Sequence, residues 1–427
     1  MSPSLSIPTA NVCKLVILDK YLMLFNLDLT RVFLSKKKKL HNDKILPSHI
    51  LFFVLLRSGI YYLYFTKLND CNKQFLSMNI EDRINAFSLL GDFLQQFPLN
   101  KKNDKLSKLN HQFYDLFWEE LQQAEIRNRW FVKENSLQAI DAWAKVLTDD
   151  NLHLWISKYS FSPSAKRVGV VLAGNIPLVG FHDFLSVLIS GNQFIGKMSS
   201  KDDRLPQFLS QLLIAIDARF ETQIVWTDRL KNIDAIIATG SDNSARYFEY
   251  YFGKLPHIIR KNRSSWAILS GNESSDELFK LGKDLFNYYG LGCRNVSKLF
   301  VPNGYDFKTF FEAIEPYNYV YNNNKYANNY DYNQSVYLMN QISFLQNGFV
   351  ILKEDIGLHS PLSVIFFEYY SNIKTVQERI KYHKTDIQCL CTSNTNIEDS
   401  IAFGETQSPN LWDYADNIDT LNFLSNL

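Results

Sequence analysis

The sequence predicts an α/β protein built on parallel sheets. Two observations carry this. From residue 166 onward, short and nearly continuous apolar runs alternate with helix-patterned stretches, as buried parallel strands and their crossovers require. Several of those runs end in glycine- or asparagine-containing turns, which suit the loop at a strand's carboxyl end.

Taken in order, NIEDRINAFSLLGDFLQQF starts a helix. Asn79 can cap it, with Asp82 three residues on, and Ile80, Ile84, Phe87, Phe93, Leu94 and Phe97 form its apolar stripe. A lysine-rich polar stretch separates it from helices over 109–126 and 136–147. KRVGVVLAG is then a strand, AGNIP a turn, and LVGFHDFLSVLIS a helix with Pro177 in its first turn. NQFIGKMSS is a strand, LPQFLSQLLIAIDARF a helix, and ETQIVWTD and NIDAIIATG are strands. SARYFEYYFG is a helix ending on Gly253. PHIIRK and SSWAILSG are strands, SSDELFKLGKDLFNYYG a helix, and SKLFVPNG a strand opening a second α/β region. The Asn- and Tyr-rich stretch 321–334 reads as an ordered surface loop.

The chain has 427 residues, 46% hydrophobic, with a net charge of +1, so its overall charge does not call for nucleic acid. The charge is uneven: residues 1–77 carry +7 and residues 78–427 carry −6. This break falls at Met78 and predicts that 1–77 is an extension outside the folded protein, a start-site artefact or an anchor. Residues 45–65 have the length of a membrane span. Arg57 in mid-span, Pro47 and Gly59 argue against one, so membrane association is not expected. The five cysteines are too sparse for a disulfide framework, which implies a reducing cytoplasm. Cys389 and Cys391 read as buried strand thiols; no zinc ligand set is evident.

Four places could carry chemistry. Cys293, in GLGCRN, follows glycines at 290 and 292 that clear access, and Arg294 adds positive charge. Its plain alternative is a buried inert thiol. Asn175, in the AGNIP turn, can aim its amide into a cleft at the strand ends and hold an oxyanion, or it is a turn asparagine. Thr239, Gly240 and Ser241 lead from a buried strand into a helix N-terminus, which suits a phosphate or is an ordinary capped turn. Lys197 ends a strand and is otherwise a surface lysine. No GxGxxG fingerprint follows a strand.

In their order, AGNIPLVG, GNQFIGKMS, ATGS, GLGCRNVSKLFVP, LKEDIGLHSPLSV and FGETQSPNLWDYADNIDTLNFL resemble the long-chain acyl-CoA reductases of bacterial luminescence (LuxC type), within the aldehyde dehydrogenase superfamily. The resemblance implies an aldehyde-dehydrogenase-like fold: a helical part over 78–160, a Rossmann-like cofactor domain over 161–285, a smaller catalytic α/β domain over 286–400, and a tail over 401–427. It implies Cys293 as acylated nucleophile, Asn175 in the oxyanion hole, Gly240 and Ser241 beside the cofactor's phosphates, Lys197 on the adenosine ribose and Glu354 on the nicotinamide ribose. The implied reaction is reduction of a fatty acyl-CoA to fatty aldehyde and coenzyme A by NADPH or NADH, in a cytoplasmic homo-oligomer. An acyl donor protein is an alternative source of the acyl group. The stretch RKNRSSWAILSG lacks the glutamate base of the hydrolytic relatives, which suits a reductase. Ser200 stands where an acidic residue is expected, and Lys201 or Arg204 could meet a 2′-phosphate, which favours NADPH. Other readings are an acyl-phosphate reductase, a cysteine acyltransferase or thioesterase without nicotinamide, and a membrane-tethered non-catalytic protein.

Overall fold

The computed structural model describes residues 78–393 and 397–427; within 1–77 it describes only the backbone of three strands. Those are β1 (Val32–Leu34), β2 (Ile50–Leu56) and β3 (Gly59–Phe65), paired antiparallel in the order β1-β2-β3. The start-site and anchor expectations otherwise lie outside the described residues. The chain divides into Met1–Ser77 and Met78–Leu427.

The second unit opens with four helices: α1 (Ile80–Gln95), α2 (Asp115–Arg127), α3 (Lys133–Val146) and α4 (Asp149–Ile156). Asn79 and Asp82 cap α1 reciprocally, each side chain accepting from the other's backbone N–H. Ile84, Phe87, Leu90 and Leu94 lie fully buried on one face of α1, and Phe93 and Phe97 join an aromatic cluster with Phe117.

Five strands follow: β4 (Arg167–Val171), β5 (Gln193–Lys197), β6 (Ile224–Trp226), β7 (Ala235–Thr239) and β8 (His257–Arg260), all parallel in the order β6-β5-β4-β7-β8. Helices α5 (Phe181–Ile189), α6 (Leu205–Ile216) and α7 (Asp242–Phe252) make crossovers. The chain builds outward from β4 to β6, then returns to β4's other side at β7. That reversal opens a crevice at the carboxyl ends of β4 and β7, the usual ligand position in such sheets.

A second sheet has seven strands in the order β11-β12-β13-β10-β9-β14-β15. They are β9 (Ser264–Ile268), β10 (Val296–Pro302), β11 (Leu345–Gln346), β12 (Ile351–Glu354), β13 (Val364–Tyr370), β14 (Ile387–Thr392) and β15 (Ser400–Ile401). Only β11 pairs antiparallel. Helices α8 (Ser275–Phe286), α9 (Phe307–Ile314), α10 (Asn324–Met339) and α11 (Ile373–Tyr382) connect these strands, and α12 (Thr420–Ser425) ends the fold. The tail returns to the first core, where Leu411, Tyr414, Leu421 and Leu424 are buried.

The stretch expected as a loop at 321–334 is instead largely α10. Asn323 caps it, and Tyr326, Tyr330, Asn333 and Tyr337 bury one side at helical spacing. Tyrosines here do the work of aliphatic core residues, and asparagine-rich composition masked the period.

Candidate active site

Cys293 sits in the turn between α8 and β10. The approach to it is unusual backbone: Tyr288, Tyr289 and Gly290 lie consecutively in the left-handed region, at φ 52°, 59° and 76°. Two non-glycine residues there store strain that the surroundings must hold. Burial of both tyrosines does so, with Tyr289 packed on Trp130. Asn295, also buried, fixes the turn: its Oδ1 accepts from Gly292 N at 2.8 Å, and its Nδ2 donates to the carbonyls of Asp284 and Asn287. Ser265 Oγ donates to the Cys293 carbonyl at 3.0 Å and accepts from Cys389 N at 3.1 Å.

The Cys293 side chain is partly exposed, yet its surroundings are desolvated enough to push the thiol up to about 11. Arg294 opposes that shift, while Cys389 and Asp416 reinforce it. Arg294 does not turn onto Cys293, however. Its guanidinium donates to Cys389 Sγ at 3.3 Å and to the tail carbonyls of Thr406 and Asp413. Cys389 and Cys391 are buried strand thiols, as read.

Asn175 reaches this turn from the end of β4. Its Nδ2 donates to the Leu291 carbonyl at 2.7 Å, two residues before the sulfur. A Cβ on Gly292 would touch Ile176. The AGNIP turn is in turn held by Asp202, whose Oδ2 accepts from Leu178 N at 2.9 Å. Burial raises that carboxyl to about 7.

Thr239, Gly240 and Ser241 lie at the end of β7. Ser241 caps α7, and a Cβ at Gly240 would lie 2.7 Å from Ser244 Cβ. Gly240 N donates to the Arg260 carbonyl at 3.3 Å. The Arg260 guanidinium is buried: Nη1 donates to both Asp183 oxygens at 2.9 and 2.7 Å, and Nη2 to Thr420 Oγ1 at 3.0 Å. Thr239 Oγ1 lies 3.5 Å away, and a thiolate at Cys293 would favour the Arg260 cation. This cation gave no signal in the sequence, because PHIIRK reads as any short strand.

Lys197 ends β5, exposed and without an ion pair. Glu354 ends β12 in the other sheet, exposed and without a partner. The structure thus joins Asn175 to the cysteine turn, and puts Lys197 and Thr239 at the carboxyl ends of β5 and β7 in the same sheet. It brings Glu354 into no contact with them. Arg204, read as a phosphate partner, is occupied by a bidentate pair with Glu120. Lys201 stays free of ion pairs.

Residues 151–250, from α4 to α7, match the acyl-CoA reductase (LuxC) family. Over that segment the chain is similar to the LuxC acyl-CoA reductases. The match covers Asn175, Lys197 and the Thr239–Ser241 turn and stops before Cys293. Among solved structures, a Mycobacterium tuberculosis aldehyde dehydrogenase complexed with NAD+ is similar at TM-score 0.53 and 11% identity, over 76% of each chain. A putative methylmalonate-semialdehyde dehydrogenase from Sinorhizobium meliloti, complexed with NAD, is similar at 0.52 and 14%, over 76% of this chain and 75% of that one. The indole-3-acetaldehyde dehydrogenase AldA of P. syringae gives 0.51 and 11%, over 74% and 73%. No curated protein matches the chain. The fold is that of the aldehyde dehydrogenases. Among the described residues no helix is long and apolar enough to cross a membrane.

Proposed function

We propose that this LuxC-type chain reduces a fatty acyl-CoA to the fatty aldehyde and free coenzyme A, with Cys293 as nucleophile and NADPH as the preferred reductant. The observation that carries this is the Asn175–Leu291 hydrogen bond, which ties the crevice of the five-stranded sheet to the cysteine turn.

The Cys293 thiolate attacks the thioester carbonyl, the carbon–sulfur bond to coenzyme A breaks, and the leaving thiolate takes the proton that Cys293 gave up. One thioester replaces another, so the exchange is nearly balanced. The second N–H of the Asn175 amide and the Cys293 backbone N–H are the donors for the developing oxyanion. A thiol held near 11 is mostly protonated at neutral pH, which protects it between turnovers and makes its deprotonation part of the acylation step.

A dinucleotide fits the crevice residues. Gly240 leaves no Cβ between the turn and α7, Ser241 opens a helix N-terminus suited to phosphate, and Lys197 is free for a ribose hydroxyl. Glu354 is assigned to the nicotinamide ribose. When bound, the nicotinamide supplies the hydride that releases the acyl group as aldehyde. Exposed Ser200 and unpaired Lys201 accommodate a 2′-phosphate. Asp416 is the carboxylate whose charge reaches Cys293; Arg263 pairs with that carboxylate, and Gln388 Oε1 accepts from the Asp416 backbone N–H. It is therefore poorly placed to activate water, which favours reduction over hydrolysis.

Intact-mass spectrometry after mixing with acyl-CoAs of several chain lengths tests this. An acyl adduct on Cys293 that disappears on adding NADPH, with aldehyde formed, is expected. Coenzyme A release without NADPH oxidation, or turnover by Cys293→Ala, would overturn it.

A further inference from the structure

The loop that leaves Glu354 has four consecutive backbone carbonyls taken by side chains. Lys298 Nζ donates to Asp355 O at 3.0 Å and to Gly357 O at 2.7 Å. Arg379 Nη2 donates to Ile356 O at 2.6 Å. Ser264 Oγ and Trp266 Nε1 donate to Leu358 O at 2.8 and 3.4 Å. The donors come from β10, α11 and the start of β9, so three separate elements converge on one short segment.

The central donor is costly to place. Lys298 is 0% exposed, in the middle of a seven-stranded sheet. Glu368 on β13 compensates both cations, 2.5 Å from Lys298 Nζ and 2.8 Å from Arg379 Nη1. Backbone pairing already fixes β10 between β9 and β13. An apolar side chain at 298 would fill the same space and avoid desolvating an ion pair. The sheet gains little from this lysine that a methionine could not give; the loop gains its path. Asp355 completes the constraint by accepting from Gly357 N at 2.8 Å and pairing with Lys353. Glu354, directly before the clamped carbonyls, is left exposed and free to meet a ligand.

We propose that Lys298 is a positioning residue for cofactor binding: by clamping the Asp355–Leu358 carbonyls, together with Arg379, it holds the Glu354 carboxylate where the nicotinamide ribose is bound. This rests on the assignment of Glu354 to that ribose.

The test measures NADPH binding by calorimetric titration without acyl substrate, and separately the rate of acyl adduct formation on Cys293. Lys298→Met and Arg379→Met should each weaken NADPH binding about tenfold, while adduct formation stays within about twofold of the parent. Arg379→Lys should recover part of the affinity. Unchanged NADPH affinity in the folded variants would overturn the proposal, and so would equal losses in binding and acylation, which mark a purely structural role. If Lys298→Met does not fold, Arg379→Met, at a partly exposed position, decides alone. If the parent protein takes up no acyl group, the reductase reading falls, and the titration still judges the clamp.

Discussion

Asn175 Nδ2 stands 2.7 Å from the Leu291 carbonyl, so a side chain from one sheet's strand end is spent on the turn that carries the other sheet's cysteine. One amide N–H is spent on that carbonyl, and in the proposed reaction the other meets the substrate oxygen. This division makes Asn175→Ala costly twice over, in turn placement and in oxyanion stabilisation. Cys293 acylation should slow by about 10²–10³-fold, with NADPH affinity nearly unchanged. Stopped acyl-CoA reactions read by intact mass would check this; a loss below about fivefold would remove Asn175 from the oxyanion hole.

The thiol at 293 should betray its burial in its pH profile. With its pKa pushed up to about 11, alkylation by iodoacetamide should keep accelerating well above the range of an ordinary cysteine. Arg294 works against burial, so Arg294→Met should move the profile higher still. A plateau near pH 7 in the parent would show that the resting site is already thiolate.

A substitution at Gly240 should separate the two half-reactions of the proposed mechanism. A Cβ there would meet Ser244 Cβ at 2.7 Å and Phe248 at 3.2 Å, so Gly240→Val must shift the turn into α7. NADPH binding should fall by more than tenfold, whereas acylation, which depends on the cysteine turn, should persist. Accumulation of a stable acyl adduct in the presence of NADPH is the expected signature.

Local pattern made much of this legible and spatial convergence did not. The strands and crossovers from 166 on, the α1 cap at Asn79, and the strand-end turns at Asn175 and Gly240 all announce themselves within a few residues. The buried cations do not. Arg260 and Lys298 sit in short strand sequences that look surface-like, and each is satisfied by partners over 50 residues away in sequence, as with Asp183 and Thr420 for Arg260 and the Asp355 carbonyl for Lys298. The same holds for Arg204, which looked free because Glu120 lies in another element. In α10 the failure was of a different kind: tyrosines buried at helical spacing were hidden by polar neighbours.

Two buried carboxyls contribute a loss of stability with rising pH, against the opposite contribution of paired carboxyls such as Asp217 and Asp355. Asp202 is raised to about 7 and Asp284 to about 6, both mainly by desolvation. Folded pKa values above the unfolded value of 3.8 mean that the folded state holds these protons more tightly. The stabilisation is complete below about pH 4 and is lost as pH rises through 6 to 7. Each carboxyl should contribute about 1.4 kcal/mol of loss per pH unit between its two pKa values. Asp202→Asn and Asp284→Asn should each flatten part of that slope in denaturant unfolding measured from pH 4 to 8. Asp284→Asn should also loosen the tail, because the carboxylate accepts from Gly404 N, Thr406 N and Thr406 Oγ1.

The Arg260–Asp183 pair offers the sharpest separation of stability from function. Removing one partner strands the other charge in a buried site, so Asp183→Ala should cost about 3–5 kcal/mol. Replacing both, as Arg260→Met with Asp183→Leu, should recover most of that loss, because buried pairs are often worth no more than apolar side chains of similar size. Function should not recover with it. Arg260 also donates to Thr420 in the tail and stands beside Thr239 at the end of β7, contacts that methionine cannot make. Unfolding midpoints near the parent's, with NADPH affinity still reduced about tenfold, are expected for the double variant. Full recovery of both would show that the pair is scaffolding alone.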